Sequence, residues 1–488
     1  VSVAAGLQFE TVIGLEVHAQ LLTKSKMYCG CSADYANAEP NTHTCPVCLG
    51  LPGAMPVMNR AAIEGAMLTG IALGCEIPAY CKMDRKNYGY PDLPKGYQIS
   101  QYDLPLCING ELLFTSGGET IRAGITRVHI EEDTGRLVHR TTERGEISLV
   151  DLNRSGVPLM EIVGDPDLKS PEQARDYLIA LRQILRYIGV STGNMEEGAF
   201  RCDANISIRS TDGSVVGRKV EIKNMNSFRA VERALRYEEQ RQREAIATDG
   251  VIPQETRGWI EARGITVSQR TKEQAHDYRY FPEPDLPPLN VDAAWIAAVT
   301  ARLPELPAVR RARFVRDYQL SPDDAATLTS EKKLADQYEE VVREDRATAR
   351  AAANWIINDG LGLARARGLE VDQLPFTADQ LRELMDAVAG NELTMRAARE
   401  LLPQLEAGES PRAAAERLNL LSLDDGNELA AAVAATLEAN PAAVADYRGG
   451  KKAAIGRLIG ETIKATGGRA NPDSVRALLI EALETARD

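Results

Sequence analysis

No apolar run in the sequence approaches the roughly 20 residues that a membrane-spanning helix requires, and residues 1–10 lack the basic start and apolar core of a signal peptide. The expectation is a soluble, cytoplasmic chain with no membrane partner. Cysteine is scarce: eight residues among 488 are too few for a disulfide scaffold, and four of them crowd into one short segment. Positive charge is also in deficit. A net charge of −13 excludes nucleic-acid binding across the whole surface and confines any such site to a local basic patch. There is no Gly-x-x-x-x-Gly-Lys phosphate loop, so a nucleotide site must be of another type. Against these absences, 44% hydrophobic residues supply ordinary globular cores, and the length suggests about three domains.

Residues 84–101 stand out by composition. They carry three tyrosines, the cations Arg85, Lys86 and Lys95, and two prolines, with almost no aliphatic side chain. Pro91 and Pro94, with Gly89 and Gly96 interleaved, predict a rigid irregular loop rather than a core element. Cations on such a stiffened loop suit a phosphate or a developing anion.

Period-two segments surround this loop. Ile13, Leu15, Val17, Ala19 and Leu21 alternate with Gly14, Glu16, His18 and Gln20, the pattern of a half-buried strand. Asp203, Asn205 and Ser207 alternate with aliphatics, and so do Lys219, Glu221 and Lys223. Three such strands in one sheet would gather Glu16, His18, Asp203, Asn205, Glu221 and Lys223 on its uncovered face. That mixture suits Mg²⁺ with polyphosphate better than it suits an idle solvated surface. Two further acidic features point the same way. Glu131, Glu132 and Asp133 are consecutive at a strand end, and Glu161 is the lone acid in Leu159-Met160-Glu161-Ile162-Val163; each needs a cation or partner if it is not in water.

Cys29 and Cys31, followed after thirteen residues by Cys45 and Cys48, have the spacing of two knuckles folding onto one tetrahedral zinc ion. A redox dithiol at Cys45 and Cys48 is the rival, though the Pro/Gly-rich context is not a strand-to-helix turn. Four thiolates leave no open coordination position, so this zinc would be structural.

The helical signals are of a different kind. Residues 57–75 read as a buried helix, and Ser170-Pro171-Glu172-Gln173 opens another that runs to Gly189. From about Thr300 strand-like alternation disappears, helix starts appear at Ser321, Thr377 and Asn471, and residues 408–411 read as a hinge. The fold class expected is α+β. A catalytic domain of mainly antiparallel sheet spans residues 1–299, with a zinc knuckle near 29–48. An all-α domain at 300–408 and a small all-α tail at 409–488 follow. The tail concentrates Arg448, Lys451, Lys452 and Arg457 in an otherwise acidic chain, the form expected of a phosphate-backbone contact.

These residues together make the chain resemble the B subunits of the tRNA-dependent amidotransferases, from about Glu10 to the end. The motifs are Ile13-Gly14-Leu15-Glu16-Val17-His18, the loop at 84–101, His129-Ile130-Glu131-Glu132-Asp133, residues 151–163, Arg201-Cys202-Asp203-Ala204-Asn205, Glu221-Ile222-Lys223-Asn224 and Asp277-Tyr278-Arg279-Tyr280-Phe281-Pro282. The resemblance implies a cradle-shaped catalytic domain and a two-step reaction. ATP phosphorylates the side-chain carboxylate of glutamyl-tRNA(Gln) or aspartyl-tRNA(Asn), and ammonia then displaces the phosphate. It implies His18, Glu132 and Glu161 as Mg²⁺ ligands. Glu16, Glu131, Asp203 and Glu221 join the catalytic or ammonia-relay set, and Lys86 and Lys95 line the ammonia route or meet the substrate. Arg85, Lys219 and Lys223 are further cations for nucleotide or substrate. It also implies partners: an amidase A subunit to make ammonia, for which this chain has no Ser-Ser-Lys pattern, a small C subunit, the tRNA, and the cognate non-discriminating aminoacyl-tRNA synthetase. Two rival readings are a non-catalytic tRNA-binding scaffold, and a carboxylate-amine ligase acting on free amino acids.

Overall fold

The computed structural model describes residues 8–143, 145–212, 217–248, 250–271, 275–343, 345–406, 408–423 and 426–485. The chain divides into two units between Leu306 and Pro307. Strands of the first unit are β1 (Phe9–Gln20), β2 (Tyr80–Cys81), β3 (Asp84–Asn87), β4 (Tyr97–Ser100), β5 (Cys107–Ser116), β6 (Glu119–Glu132), β7 (Arg136–Thr142), β8 (Gly145–Asp151), β9 (Pro158–Gly164), β10 (Phe200–Ser210), β11 (Val220–Lys223), β12 (Glu255–Ile260), β13 (Ile265–Thr271), β14 (Phe281–Pro282) and β15 (Leu289–Asn290). Eight of them form one sheet in the order β13-β12-β11-β10-β1-β9-β6-β5, in which only the β11–β12 pair is parallel. The mixed α+β class, with an antiparallel-rich sheet ahead of helices, is the one the sequence predicts.

The alternation in β1 fixes its place near the centre of that sheet. Ile13, Leu15, Val17 and Ala19 are buried on one side, and Glu16, His18 and Gln20 are half-buried on the other. Helices α1 (Arg60–Ala72), α2 (Pro171–Tyr187) and α3 (Phe228–Ala247) join the aliphatic side, so that Met67, Leu178, Leu181, Val231 and Leu235 share one core with the strands. Each fully buried aliphatic of this kind is worth about 1.5–3 kcal/mol, so a one-residue slip of β1, which would bury Glu16 and His18 instead, is strongly disfavoured. The core thereby sets the register of the polar face. Helix α2 begins as its sequence requires: Pro171 takes the first helical position and the Ser170 hydroxyl accepts the Gln173 N–H at 3.2 Å.

Residues 84–101 are not the irregular loop their prolines suggest. The ends pair as β3 and β4, with Asp84 opposite Ser100 and Asn87 opposite Tyr97, and β14 adds to the free edge of β3. Asp84, Gln98, Ile99, Ser100 and Gln101 are buried. Pro91 and Pro94 both fall in the connection between the strands, where no ladder N–H is needed, so their veto does not reach the flanking residues.

The helix α4 (Ala293–Thr300) and the residues after it close the first unit, with Val299, Leu303 and Leu306 packed into its core. The second unit is helical. Ser321 caps one of its helices, and Thr377 with Gln380 makes a reciprocal capping box on another. It holds two separate cores, one from Phe314 to Leu420 and one from Leu429 to Leu483. The 408–411 stretch, read as a hinge, has Leu405 before it and Ala414 after it in the same core. Among the described residues no helix is long and apolar enough to cross a membrane.

Candidate active site and metal centres

Strand register brings the polar side chains into rows. Glu221 of β11 lies opposite Asn205 of β10, Asp203 opposite Glu16 of β1, and Arg201 opposite His18. His18 in turn faces Glu161 of β9, and Glu161 faces His129 of β6. Five strands thus open onto one cavity of about 570 Å³. Glu16, His18, Lys86, Glu131, Glu161, Asp203, Lys219, Glu221 and Lys223, all singled out from sequence, line it.

At its floor His18, Glu131 and Glu161 offer ligand atoms that lie within 4.8 Å of one another, a set suited to a metal ion. His18 Nε2 is 3.3 Å from Glu161 Oε2 and 3.7 Å from Glu131 Oε1. His129 Nε2 approaches the same Glu161 oxygen at 3.5 Å. Burial favours the neutral carboxyl at both acids, yet the two differ. Burial and the neighbouring Glu161 charge outweigh Lys86 and raise Glu131, whereas His129, His18 and Lys86 overcome burial and hold Glu161 well below the usual carboxylate range. Two buried carboxylates that cannot both ionise comfortably, with an imidazole between them, are a donor set that a divalent cation satisfies.

The two histidines respond oppositely to this environment. Burial pushes His129 down to about 4, while for His18 the hydrogen bond and charge of Glu161 exceed burial and raise it. In an unfolded chain both titrate near 6.5, so as pH falls from about 6.5 toward 4 the unfolded state takes up a proton at residue 129 that the folded state refuses. That loss of stability reaches up to about 3 kcal/mol. His18 contributes with the other sign, its stabilisation being present below 6.5 and lost as pH rises through its raised value. Melting measured between pH 7.5 and 5 without added divalent cations should therefore show a flatter acid limb for His129→Asn and a steeper one for His18→Asn.

Cations ring the floor. Lys86 Nζ lies 4.9 Å from the Tyr278 ring centre, and Glu131 and Glu161 outweigh burial to keep its charge. Lys223 donates to Asp203 at 2.7 Å and lies 3.8 Å from Glu221, which accepts from Thr256 at 2.7 Å. Asn205 donates to Glu16 at 2.9 Å. Lys219 is exposed at the rim. Arg85 points elsewhere: it forks onto Glu283 at 2.7 and 2.8 Å and stacks 4.1 Å from Tyr97.

Glu132 and Lys95 also lie apart from this cluster. Consecutive strand residues face opposite ways, so Glu131 looks into the main cavity while Glu132 looks into a second one of about 200 Å³. There Glu132 is paired with Lys95 and accepts the Ile99 N–H at 3.0 Å. The structure thus groups Glu131, rather than Glu132, with His18 and Glu161. Arg127, His129 and Arg201 line the main cavity and were missed as site residues. The signal for the first two was the alternation Arg127, His129, Glu131, masked by the run of three acids beside it.

Cys29, Cys31, Cys45 and Cys48 converge at the wall of the second cavity, which Cys29 and Cys48 line, with their sulfurs within 4.8 Å of one another. The Cys45 N–H donates to Cys48 Sγ at 3.1 Å. A hydrogen bond from Cys29, together with the charge of Lys26, overcomes burial and pushes Cys48 down to about 4, while burial pushes Cys31 up to about 11. A dithiol needs one such pair; four converging sulfurs make the donor set of a closed zinc site. In the second unit Arg448, Lys451, Lys452 and Arg457 are all exposed. Lys452 Nζ stacks 4.0 Å from the Tyr447 ring and Lys451 pairs with Asp446 at 2.9 Å.

Two family models match the chain: one described as GatB/GatE catalytic domain covers residues 11–297, and one described as GatB domain covers residues 336–483. The chain belongs to the GatB family. It is 58% identical over 479 residues to the B subunit of the aspartyl/glutamyl-tRNA(Asn/Gln) amidotransferase of Thermomicrobium roseum, covering 98% of this chain and 99% of that relative. GatB proteins of the same name from Dehalococcoides mccartyi and Moorella thermoacetica are 49% and 50% identical, each alignment covering 98% of this chain and 99% and 100% of the relative. The two GatB models span both units described above, the sheet with its polar cavity and the helical part.

Proposed function

We propose that this chain is the B subunit of a tRNA-dependent amidotransferase and itself activates and amidates the aminoacyl group. The observation that carries this is the convergence of His18, Glu131 and Glu161 with Lys86, Lys223 and Asp203 in one cavity. A side-chain carboxylate is a poor acyl donor until it is phosphorylated. Its oxygen bonds to the γ-phosphorus of ATP as the bond to the β,γ-bridging oxygen breaks, and the electron pair leaves on ADP. Ammonia then bonds to the acyl carbon, inorganic phosphate leaves, and one proton is lost from nitrogen. Bound at His18, Glu131 and Glu161, Mg²⁺ would neutralise phosphate charge. Lys86 and Lys223 hold positive charge beside it at positions fixed by Tyr278 and Asp203. Asp203, Glu16 and Glu221 supply carboxylates for the departing proton.

Ammonia comes from the amidase A subunit, with the small C subunit completing the heterotrimer. Its route runs from the second cavity past the Lys95–Glu132 pair to the face of Glu131. Glutamyl-tRNA(Gln) and aspartyl-tRNA(Asn) are the substrates, and the exposed basic cluster of the tail meets the RNA backbone. Replacing Lys451, Lys452 and Arg457 with alanine should weaken tRNA binding without sequence preference and lower the salt slope by about one unit for each phosphate no longer neutralised, as titrations at several salt concentrations would report.

The deciding experiment copurifies the chain with its amidase partner and follows ADP and glutamine consumption with each mischarged tRNA. ADP formation that requires the charged tRNA supports the proposal. ATP turnover with free glutamate alone would instead make the protein a small-molecule ligase, and no ATP turnover would make it a scaffold.

A further inference from the structure

We propose that Arg201 is a catalytic residue of this chain, the guanidinium that meets the phosphoryl group in transit, and that Asp133 positions it. The inference rests on the phosphoryl-transfer reading given above. Arg201 is the residue of β10 directly opposite His18, so its side chain enters the cavity beside the metal-binding set. Its terminal NH2 donates to Asp133 Oδ1 at 3.0 Å, and that is the one hydrogen bond made by its five N–H donors among the described residues. Its side chain is 36% exposed, against 2% for Asp133, so a buried carboxylate anchors a guanidinium that lines the cavity.

Asp133 is held from several sides. The Gln20 amide donates to its Oδ2 at 2.8 Å, the Thr134 N–H donates to its Oδ1 at 2.9 Å, and Arg154 lies 3.7 Å away. Gln20 is itself braced at 3.0 Å by the hydroxyl of Tyr35, which lies between the two cysteine pairs. A guanidinium fixed in this way has little freedom left to lose when an anion arrives. Of the other cavity cations, Lys223 is paired with Asp203 at 2.7 Å, Arg127 donates to the His129 ring at 3.4 Å, and Lys86 lies 4.9 Å from the Tyr278 ring centre; Arg201 is the guanidinium among them held by a buried carboxylate. As the bond from the aminoacyl oxygen to phosphorus forms and the bond to ADP breaks, charge spreads over the three equatorial oxygens. A planar fork with spare donors is suited to that array.

The test uses the complex with the amidase partner and mischarged tRNA, reading ADP formation. Arg201→Ala and Arg201→Lys should each lower kcat by about a thousandfold, with KM for the charged tRNA changed by less than about threefold. Guanidinium ion added to Arg201→Ala should restore at least about tenfold of the loss, a response that a structural partner of Asp133 would not give. Asp133→Asn should lower kcat by about 10–100-fold and leave the tRNA KM unchanged. Retention of ADP formation within threefold by either Arg201 variant overturns the inference. So does a loss that guanidinium does not touch in a variant whose melting temperature matches the parent. Absence of tRNA-dependent ADP formation in the unmodified complex overturns the underlying reading first, and this inference with it.

Discussion

Glu161→Gln is expected to lower tRNA-dependent ADP formation by about a thousandfold, equivalent to about 4 kcal/mol, while leaving the protein folded. One oxygen of Glu161 lies within 3.5 Å of both His18 Nε2 and His129 Nε2, so the charge is shared between two rings and is the centre of the cluster. Glutamine keeps the shape but removes that charge. It also removes the pairing with His129, His18 and Lys86 that overcomes burial and keeps Glu161 ionised, so the metal-free melting temperature should fall modestly while the divalent-cation affinity falls far more. An unchanged far-ultraviolet circular dichroism spectrum with a single cooperative melt separates this loss from misfolding. Titration with Mn²⁺, followed by its electron paramagnetic resonance signal, measures the affinity without any turnover. Glu131→Gln should lower the cation affinity as well, but hold or raise the melting temperature, because burial and the Glu161 charge already disfavour its ionised form. Glu132→Gln should leave cation affinity unchanged, because that carboxylate is committed to Lys95 and to the Ile99 N–H in the other cavity. Equal loss of affinity in the Glu132 and Glu161 variants would show that the metal set is drawn wrongly.

The polar face was legible because a period of two needs no tertiary knowledge. Once Ile13, Leu15 and Val17 are buried, Glu16 and His18 must face away from them, and antiparallel register does the rest. The cysteine cluster was legible for a similar reason, since two close pairs carry their own geometry. What alternation alone does not give is which neighbouring strand supplies a partner. His129 and Glu161 meet only because β6 and β9 are adjacent, although the β7–β8 hairpin intervenes between them in the chain. The choice between Glu131 and Glu132 turned on parity. The sequence shows three acids in a row, and nothing local says which of them shares a face with His129 until the strand is known to run through Glu132. Residues 84–101 were misread because proline was allowed to speak for its neighbours. β3 pairs locally with β4, but the strand that covers its other edge is β14, nearly two hundred residues away, and that pairing leaves no local trace. Arg85 was assigned by charge alone, and its true partner, Glu283, is equally remote.

Cys48→Ser should abolish zinc binding by the four-cysteine cluster and loosen residues 29–57 without unfolding the sheet. Structural zinc in small sites binds with about 10–16 kcal/mol of apparent free energy, and that energy is spent on ordering the ligand loops. Here the loops also have anchors independent of the metal. The Asn153 side chain accepts the His43 N–H at 2.8 Å and donates to the Glu39 carbonyl at 2.8 Å, and Asn41 bonds to Val150 and Leu152. The outer edge of the ribbon should therefore stay attached when the sulfurs separate. The inner edge depends on Lys26, whose fully buried ammonium donates to the His43 carbonyl at 2.7 Å and lies 3.7 Å from Cys48 Sγ. Four thiolates around a divalent ion carry excess negative charge, and a buried ammonium offsets it. Lys26→Met should accordingly keep one equivalent of zinc but release it at least about tenfold faster to a chromogenic chelator. Limited proteolysis gives the structural readout: cleavage confined to residues 29–57 is expected for Cys48→Ser. Loss of protection across β1 and β9 as well would mean that the metal holds the sheet and its cavity, and not only the wall behind Glu132.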